Sequence, residues 1–376
     1  MTPALVAKLF PLLKPLAASQ ARRAPTRKQR SRTTITYFAL AFLALNGIAL
    51  LAMDVLRPEL RDPEYGRRTK KLQARIAENP TRPVVIVIGS SRAAMGITPA
   101  AWEQIRPNGE RPDPLLFNMS LVGSGPVIEL FCLQRLYNDG FKPAAVIFEY
   151  WPAFLREDGP YWELGRLDAN RYFRSDRPFV REFSRDLPRT EREINAARWN
   201  PIFENRFRWV NQAVPSWLPW TRRMDVTWTG VDDWGWLPGV DQGNLEGPIT
   251  REVRLKHCEK IYREQFTDYT IDPIATHALH EAVALARKNG AKVAFTWLPE
   301  SSEFRTWMPP AVEAMSRDHL AKLCRELDVP LIDGRSVLAD EFLADGFHLT
   351  RTGAEEFTRR FGPAVAATFP DLEARP

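Results

Sequence analysis

Residues 35–53, ITYFALAFLALNGIALLAM, run for 19 positions without a charge, and no other stretch limits the architecture as much. At about 1.5 Å per residue it reaches roughly 28 Å as a helix, close to the thickness of a bilayer's hydrocarbon core. A buried core helix or a cleaved signal peptide would share this apolar character. The region preceding it is long for a signal peptide, however, and no clear A-x-A site follows. Six cations lie between Arg22 and Arg32, whereas the far flank opens with Asp54. The positive-inside rule therefore predicts a signal anchor with its N-terminus in the cytoplasm and its body outside. The expected location is the inner cell membrane, crossed once. The expected segments are a basic tail (1–34), the span (35–56), a linker (57–82) and a folded domain (83–370). Residues 1–20 are apolar with two lysines and could lie on the inner leaflet, though Pro3, Pro11 and Pro15 argue against a long helix there.

The formal charge of +6 belongs to the tail. The first 32 residues carry eight cations and no acid, so the rest of the chain has a slight acidic excess. A nucleic-acid-binding domain would show its basic face on the folded part, and this body has no basic excess. Cys132, Cys258 and Cys324 are odd in number and widely spaced, which supports neither a zinc ribbon nor a disulfide scaffold.

Beyond the linker, apolar runs alternate with amphipathic stretches. The runs 84–88 (VVIVI), 115–118, 144–148 (AAVIF), 292–297 (KVAFTW) and 329–332 have the length and β-branched content of strands covered on both faces. Helical patterns occupy about 99–106, 125–138, 273–289, 310–327 and 352–367. The alternation predicts an α/β fold: a flavodoxin-like α/β/α three-layer domain with a five-stranded parallel sheet. Residues 151–250 break the rhythm and hold nine of the twelve tryptophans, Trp162 among them. They read as an insertion folded over the carboxyl edge of the sheet, its indoles serving either to pack an irregular subdomain or as a stacking platform for sugar rings.

Two short pieces carry candidate chemistry. Gly89-Ser90-Ser91-Arg92 follows the first strand, where a tight turn can expose a hydroxyl beside free backbone N–H groups. Asp345-Gly346-Phe347-His348 precedes the last helix; an Asp three residues before a His can fix the imidazole tautomer that a general base needs. With Asn118-Met119-Ser120-Leu121-Val122-Gly123 after the second strand, their order and placement resemble the SGNH (GDSL-type) hydrolase superfamily. The resemblance covers about 83–150 and 290–367. It implies Ser91 as nucleophile, His348 as base, Asp345 as its orienting partner, and an oxyanion hole from the N–H groups of Ser91 and Gly123. Two positions depart from the family pattern. Ser90 stands where an Asp is usual, as in several membrane-attached members, and Glu149-Tyr150-Trp151-Pro152 replaces the Gly-x-Asn-Asp block. The asparagine donor is therefore missing: another group replaces it, or the site is weak or dead.

Asn118, Arg305 and Trp151 are candidate substrate contacts at the same edge. Arg305 could grip a carboxylate or phosphate, or form a surface ion pair. His277 and His280 sit three apart on a helical pattern without a third ligand nearby, so no metal is expected. Gly123-Ser124-Gly125 lacks the third glycine of a dinucleotide loop, Ile128 standing there, and no cofactor is expected. The resemblance extends to anchored acyltransferases such as the alginate O-acetyltransferases and the D-alanyl transfer protein of teichoic acid synthesis. It implies a membrane-anchored extracytoplasmic serine acyltransferase or esterase acting on an envelope or secreted polysaccharide, partnered by a multi-pass membrane acyl donor. The other reading is a non-catalytic anchored scaffold retaining the SGNH frame. The topology is directly testable: a reporter fused after Pro376 should be active only outside the cytoplasm, and activity inside it overturns the orientation.

Overall fold

Apolar side chains face outward on every side of the first helix, α1 (Arg27–Leu51). Tyr37, Phe38, Leu45 and Ile48 are all exposed, whereas a helix of a soluble core would bury them. This computed structural model describes residues 26–105, 114–157, 167–241 and 249–372. The helical stretch Arg27–Leu56 is long and apolar enough to cross a membrane once. It begins inside the basic tail rather than at residue 35. Residues 1–25 of that tail, and Trp162, lie outside the described residues. The chain divides into two units, Met1–Ala49 and Leu50–Pro376.

In the second unit the elements follow in order: α2 (Pro63–Glu78), β1 (Val84–Ile88), α3 (Ser91–Gly96), α4 (Pro99–Ile105), β2 (Leu115–Asn118), α5 (Pro126–Asn138) and β3 (Ala145–Glu149). After the tryptophan-rich stretch, with α6 (Arg177–Phe183), α7 (Leu187–Trp199) and α8 (Pro201–Ala213), come α9 (Arg251–Gln265), α10 (Pro273–Lys288), β4 (Lys292–Trp297), α11 (Ser302–Trp307), α12 (Pro310–Glu326), β5 (Leu331–Asp333) and α13 (Arg351–Thr368). All strand pairs are parallel, in the order β2-β1-β3-β4-β5. This doubly wound order reverses between β1 and β3, the place where such sheets bind ligands.

Alternation along each strand splits the core into two layers. Val84, Ile86 and Ile88 of β1 pack toward α5, α10 and α12, with Phe131, Ala282 and Leu323 on that side. Val85 and Val87 pack toward α3, α4 and α13, with Trp102, Phe357 and Phe361 on the other. Both faces are covered, so the strands read as unbroken apolar runs.

The charged stretch 57–82, read from sequence as a linker, is mostly folded. Asp62 caps α2 by accepting the Tyr65 N–H, with Pro63 at the first helical position. Glu64, Tyr65, Arg68 and Leu72 recur at helical spacing and are buried. Their charges are satisfied internally: Arg135 bridges Asp62 and Asp176 at 2.8 and 2.7 Å, and Arg171 meets Asp62 at 2.8 Å. Burial pushes the Asp62 carboxyl up, but Arg171 and Arg135 outweigh it and hold its pKa well below the carboxylate range. Polarity reads as solvent exposure in a sequence; here it marks a buried ion network.

The tryptophan-rich segment also differs in part from its expected position over the sheet edge. Its middle packs on α5, where Tyr172 and Phe179 lie 5.5 and 4.8 Å from the Phe131 ring. Its end reaches the edge: the Trp234 carbonyl accepts the Asn118 N–H, and Leu237 donates to Ala94. Gly235 makes that approach possible, because at φ +83° a Cβ would sit 1.9 Å from the Asn118 carbonyl oxygen. Gly235→Ala should lower stability by on the order of 3 kcal/mol, read as a lower thermal midpoint of the full chain in detergent. An unchanged midpoint would mean the turn moves freely.

A second test is electrostatic. His319 is wedged between the Tyr150 hydroxyl and Thr276 at 3.1 Å each, and burial pushes its pKa down to about 4 from 6.5. The unfolded chain binds this proton more readily, so the stability His319 contributes is complete above pH 6.5 and is lost as pH falls through about 4. His319→Gln should flatten the fall of the thermal midpoint across that window.

Candidate functional site

Three side chains named from the sequence converge at the carboxyl edge of the sheet. Ser91 Oγ lies 2.7 Å from His348 Nε2, and His348 Nδ1 lies 2.7 Å from Asp345 Oδ2. They come from opposite ends of the chain: Ser91 opens α3 directly after β1, and the Asp345–His348 loop leads into α13. Ser90 acts as the helix cap, its hydroxyl accepting the Arg92 N–H at 3.1 Å. Ser91 thereby takes the first helical position, where its N–H has no carbonyl one turn behind it.

The loop that carries His348 is set by its own short-range bonds. Asp345 Oδ1 accepts the backbone N–H groups of His348 (2.9 Å) and Phe347 (3.3 Å), which leaves Oδ2 aimed at the imidazole. Gly346, at φ +102°, lets the chain reverse, and its carbonyl accepts the Ser301 N–H at 2.8 Å. Ala344 N–H bonds the His348 carbonyl at 2.8 Å, closing the loop. Partial burial raises the Asp345 pKa, but His348 and the two N–H donors outweigh it, so the carboxyl sits below its ordinary range. Ser91, His348 and Asp345 are each half-buried, so the site stays open to solvent.

Gly123 lies in the loop after β2. That loop runs beside the Ser91 turn, Leu121 donating to the Gly89 carbonyl at 3.0 Å and Met119 to Val87 at 2.8 Å. From the other side, Glu64 of α2 accepts the Val122 N–H at 3.0 Å. Gly123 itself takes φ +75°, a conformation that favours glycine and turns the peptide beside it.

The candidate substrate contacts fare differently. Asn118 is fully buried and its amide donates to the Ala93 and Ile97 carbonyls at 2.7 Å each, so it braces α3 from beneath and cannot reach a substrate. Trp151 is also buried, packed between Phe154, Tyr262 and Phe347; no sugar can stack on it. Arg305 is half-buried and donates to the Glu300 carbonyl at 3.0 Å, which fixes the segment after β4. Of the other tryptophans, Trp228 and Trp236 are buried, whereas Trp199, Trp217 and Trp220 stand exposed. His277 pairs with Glu182 at 3.3 Å and stacks on Phe183.

Residues the sequence reading passed over hold the site together. Arg92, next to the serine, is fully buried, donates to the Leu298 and Pro299 carbonyls at 2.8 and 3.1 Å, and lies 4.7 Å over the Trp151 ring. Glu149 and Glu300 flank it at 3.5 and 3.6 Å. Glu149 also accepts the Ser90 N–H at 2.7 Å, and Glu300 is held by Arg335 at 2.6 Å. The only signal in the sequence was a charge standing at the end of an apolar strand. Neither a protein-family model nor a curated protein matches this chain.

A buried cation between two carboxylates is costly to unpair. Arg92→Met should destabilise the chain by about 3–5 kcal/mol, because Glu149 is left buried without its cation while Glu300 keeps Arg335. Restoring the fold with Arg92→Met/Glu149→Gln, read by thermal unfolding, checks that the loss is electrostatic rather than steric.

Proposed function

We propose that this chain is a membrane-anchored serine O-acyltransferase or esterase of SGNH type, acting outside the cytoplasm on acyl groups of an envelope or secreted polysaccharide. The observation that carries the reading is the unbroken hydrogen-bonded line from Ser91 through His348 to Asp345. It lies where β1 ends, at the edge at which doubly wound sheets do their chemistry.

The proposed chemistry begins at this line of three side chains. His348 Nε2 takes the Ser91 hydroxyl proton as Oγ attacks the acyl carbon. Asp345 keeps the remaining proton on Nδ1 and stabilises the imidazolium. The tetrahedral oxyanion is met by the N–H groups of Ser91 and Gly123. Its collapse expels the donor's leaving group, protonated by His348, and leaves Ser91 acylated. A sugar hydroxyl or water then gives its proton to His348 and takes the acyl group, restoring the serine.

The replaced third block makes this a lean site. Glu149 stands at the end of β3 near the missing asparagine, and its carboxylate accepts from Ser90 and pairs with Arg92. It therefore supplies no donor to an oxyanion. Each lost donor of this kind typically costs about 10²–10³ in rate. Binding energy from a polymeric acceptor that positions the attacking hydroxyl can offset that deficit. Transfer to a saccharide is thus favoured over hydrolysis of small esters. The same replacement supports the second reading, an anchored scaffold whose triad geometry persists without turnover.

A fluorophosphonate probe separates the two. The enzyme should label at Ser91, lose labelling completely in Ser91→Ala, and lose roughly 10⁴-fold in rate in Asp345→Asn. Folded protein that never labels is the scaffold. For the labelled enzyme, acyl appearing on oligosaccharide should exceed acyl released into water; fast Ser91-dependent ester hydrolysis indifferent to sugar would leave a plain esterase.

A further inference from the structure

Exposed aromatic rings recur along residues 199–220, a segment tied to the residues that follow the apolar helix. Trp199 ends α7 and is 73% exposed; Trp217 and Trp220, on turns after α8, are 78% and 72% exposed. Phe203 and Phe207, one helical turn apart on α8, are exposed with them. Rings this large rarely stand in water together without a partner.

Arginines sit among the rings. Arg206 lies over Phe203 and Phe207 at 3.6 and 4.4 Å, Arg222 over Phe207 at 5.6 Å, and Arg223 over Trp220 at 5.4 Å. Residues 198–223 hold five arginines and one glutamate. This local excess stands against the slight acidic excess of the body. The patch is also fixed to the residues that follow the span. Arg198 pairs with Asp54 at 3.0 Å, and the Trp209 indole donates to the Leu60 carbonyl at 3.3 Å. Only Val55 and Leu56 separate Asp54 from Arg57, where the helical stretch gives way.

We propose that this surface docks on the acidic phospholipid headgroups of the membrane that the helix Arg27–Leu56 enters, with Trp199, Trp217 and Trp220 seated at the boundary between headgroups and acyl chains. The inference rests on reading that helix as a membrane span. Tryptophan is the residue of membrane interfaces, since its ring is apolar and its N–H polar, and arginine supplies the attraction to anionic lipid. Held against Asp54 and Leu60, the patch cannot travel far from the membrane surface. A sugar platform would instead stand beside Ser91, and a contact with a second copy would gain nothing from the arginine excess.

The chain offers a clean readout, because none of its tryptophans lies in 27–56. The full-length protein is reconstituted into nanodiscs of phosphatidylethanolamine and phosphatidylglycerol, with or without bromine on the acyl chains. Bromine should quench the wild-type fluorescence. Trp199→Tyr/Trp217→Tyr/Trp220→Tyr, which keeps the ring character but removes the fluorophores, should lose more than half of that quenching. Arg206→Gln/Arg222→Gln/Arg223→Gln should weaken it, and removing phosphatidylglycerol should do the same for the wild type. Unquenched wild-type protein in the discs, or quenching that survives the tyrosine variant, overturns the docking surface alone. A protein that does not co-elute with discs overturns the span and this inference with it. Quenching indifferent to both arginines and acidic lipid overturns the headgroup part of the inference.

Discussion

One buried guanidinium organises the carboxyl edge of the sheet. Arg92 follows the candidate nucleophile directly, so its placement fixes the turn that exposes Ser91. It bonds carbonyls beyond β4, faces the carboxylate that ends β3, and roofs the ring of Trp151. Three strand ends are thereby tied through a single side chain. Burying a lone cation would be prohibitive, and the structure answers with Glu149 and Glu300, the second held in turn by Arg335 and by the Trp297 indole at 3.0 Å. Such a network adds less to net stability than its count of charges suggests. Its effect is to allow one arrangement of the Ser90–Ser91 turn and to disfavour others.

Glu149 serves two partners at the end of β3. Its carboxylate accepts the Ser90 N–H and faces the Arg92 guanidinium, whereas a neutral amide there could do the first and not the second. One residue thus holds the turn that carries Ser91 and balances the buried charge beside it.

The sheet was legible because strands covered on both faces must be apolar throughout, and VVIVI at 84–88 admits little else. The Ser91, His348 and Asp345 positions stood out through the order and placement of two short pieces taken together, a serine at a strand-to-helix turn and a carboxylate three residues before an imidazole; neither piece alone singles them out. What escaped were polar residues satisfied by distant partners. Arg68, Arg135 and Arg171 look like solvated charge in any window of the sequence, yet they are buried among Asp62, Glu64 and Asp176. Asn118 and Trp151 were misread for a related reason: position at the active edge does not say whether a side chain points up into the cleft or down into the fold. That depends on Ala93, Ile97 and Phe347, whose contacts with them are long-range in sequence.

The segment taken for a linker has the most consequence for function. Between Asp54 and Glu64 the chain leaves the apolar helix, pairs with Arg61 and Arg198, caps α2 through Asp62 and reaches the Gly123 loop through Glu64. About ten residues, Asp54 to Glu64, thus reach the loop that holds Gly123, with each step made by a buried or half-buried polar bond. The ion pairs of Asp62 seat α2, α2 seats Val122 through Glu64, and Val122 leads into the peptide of Gly123.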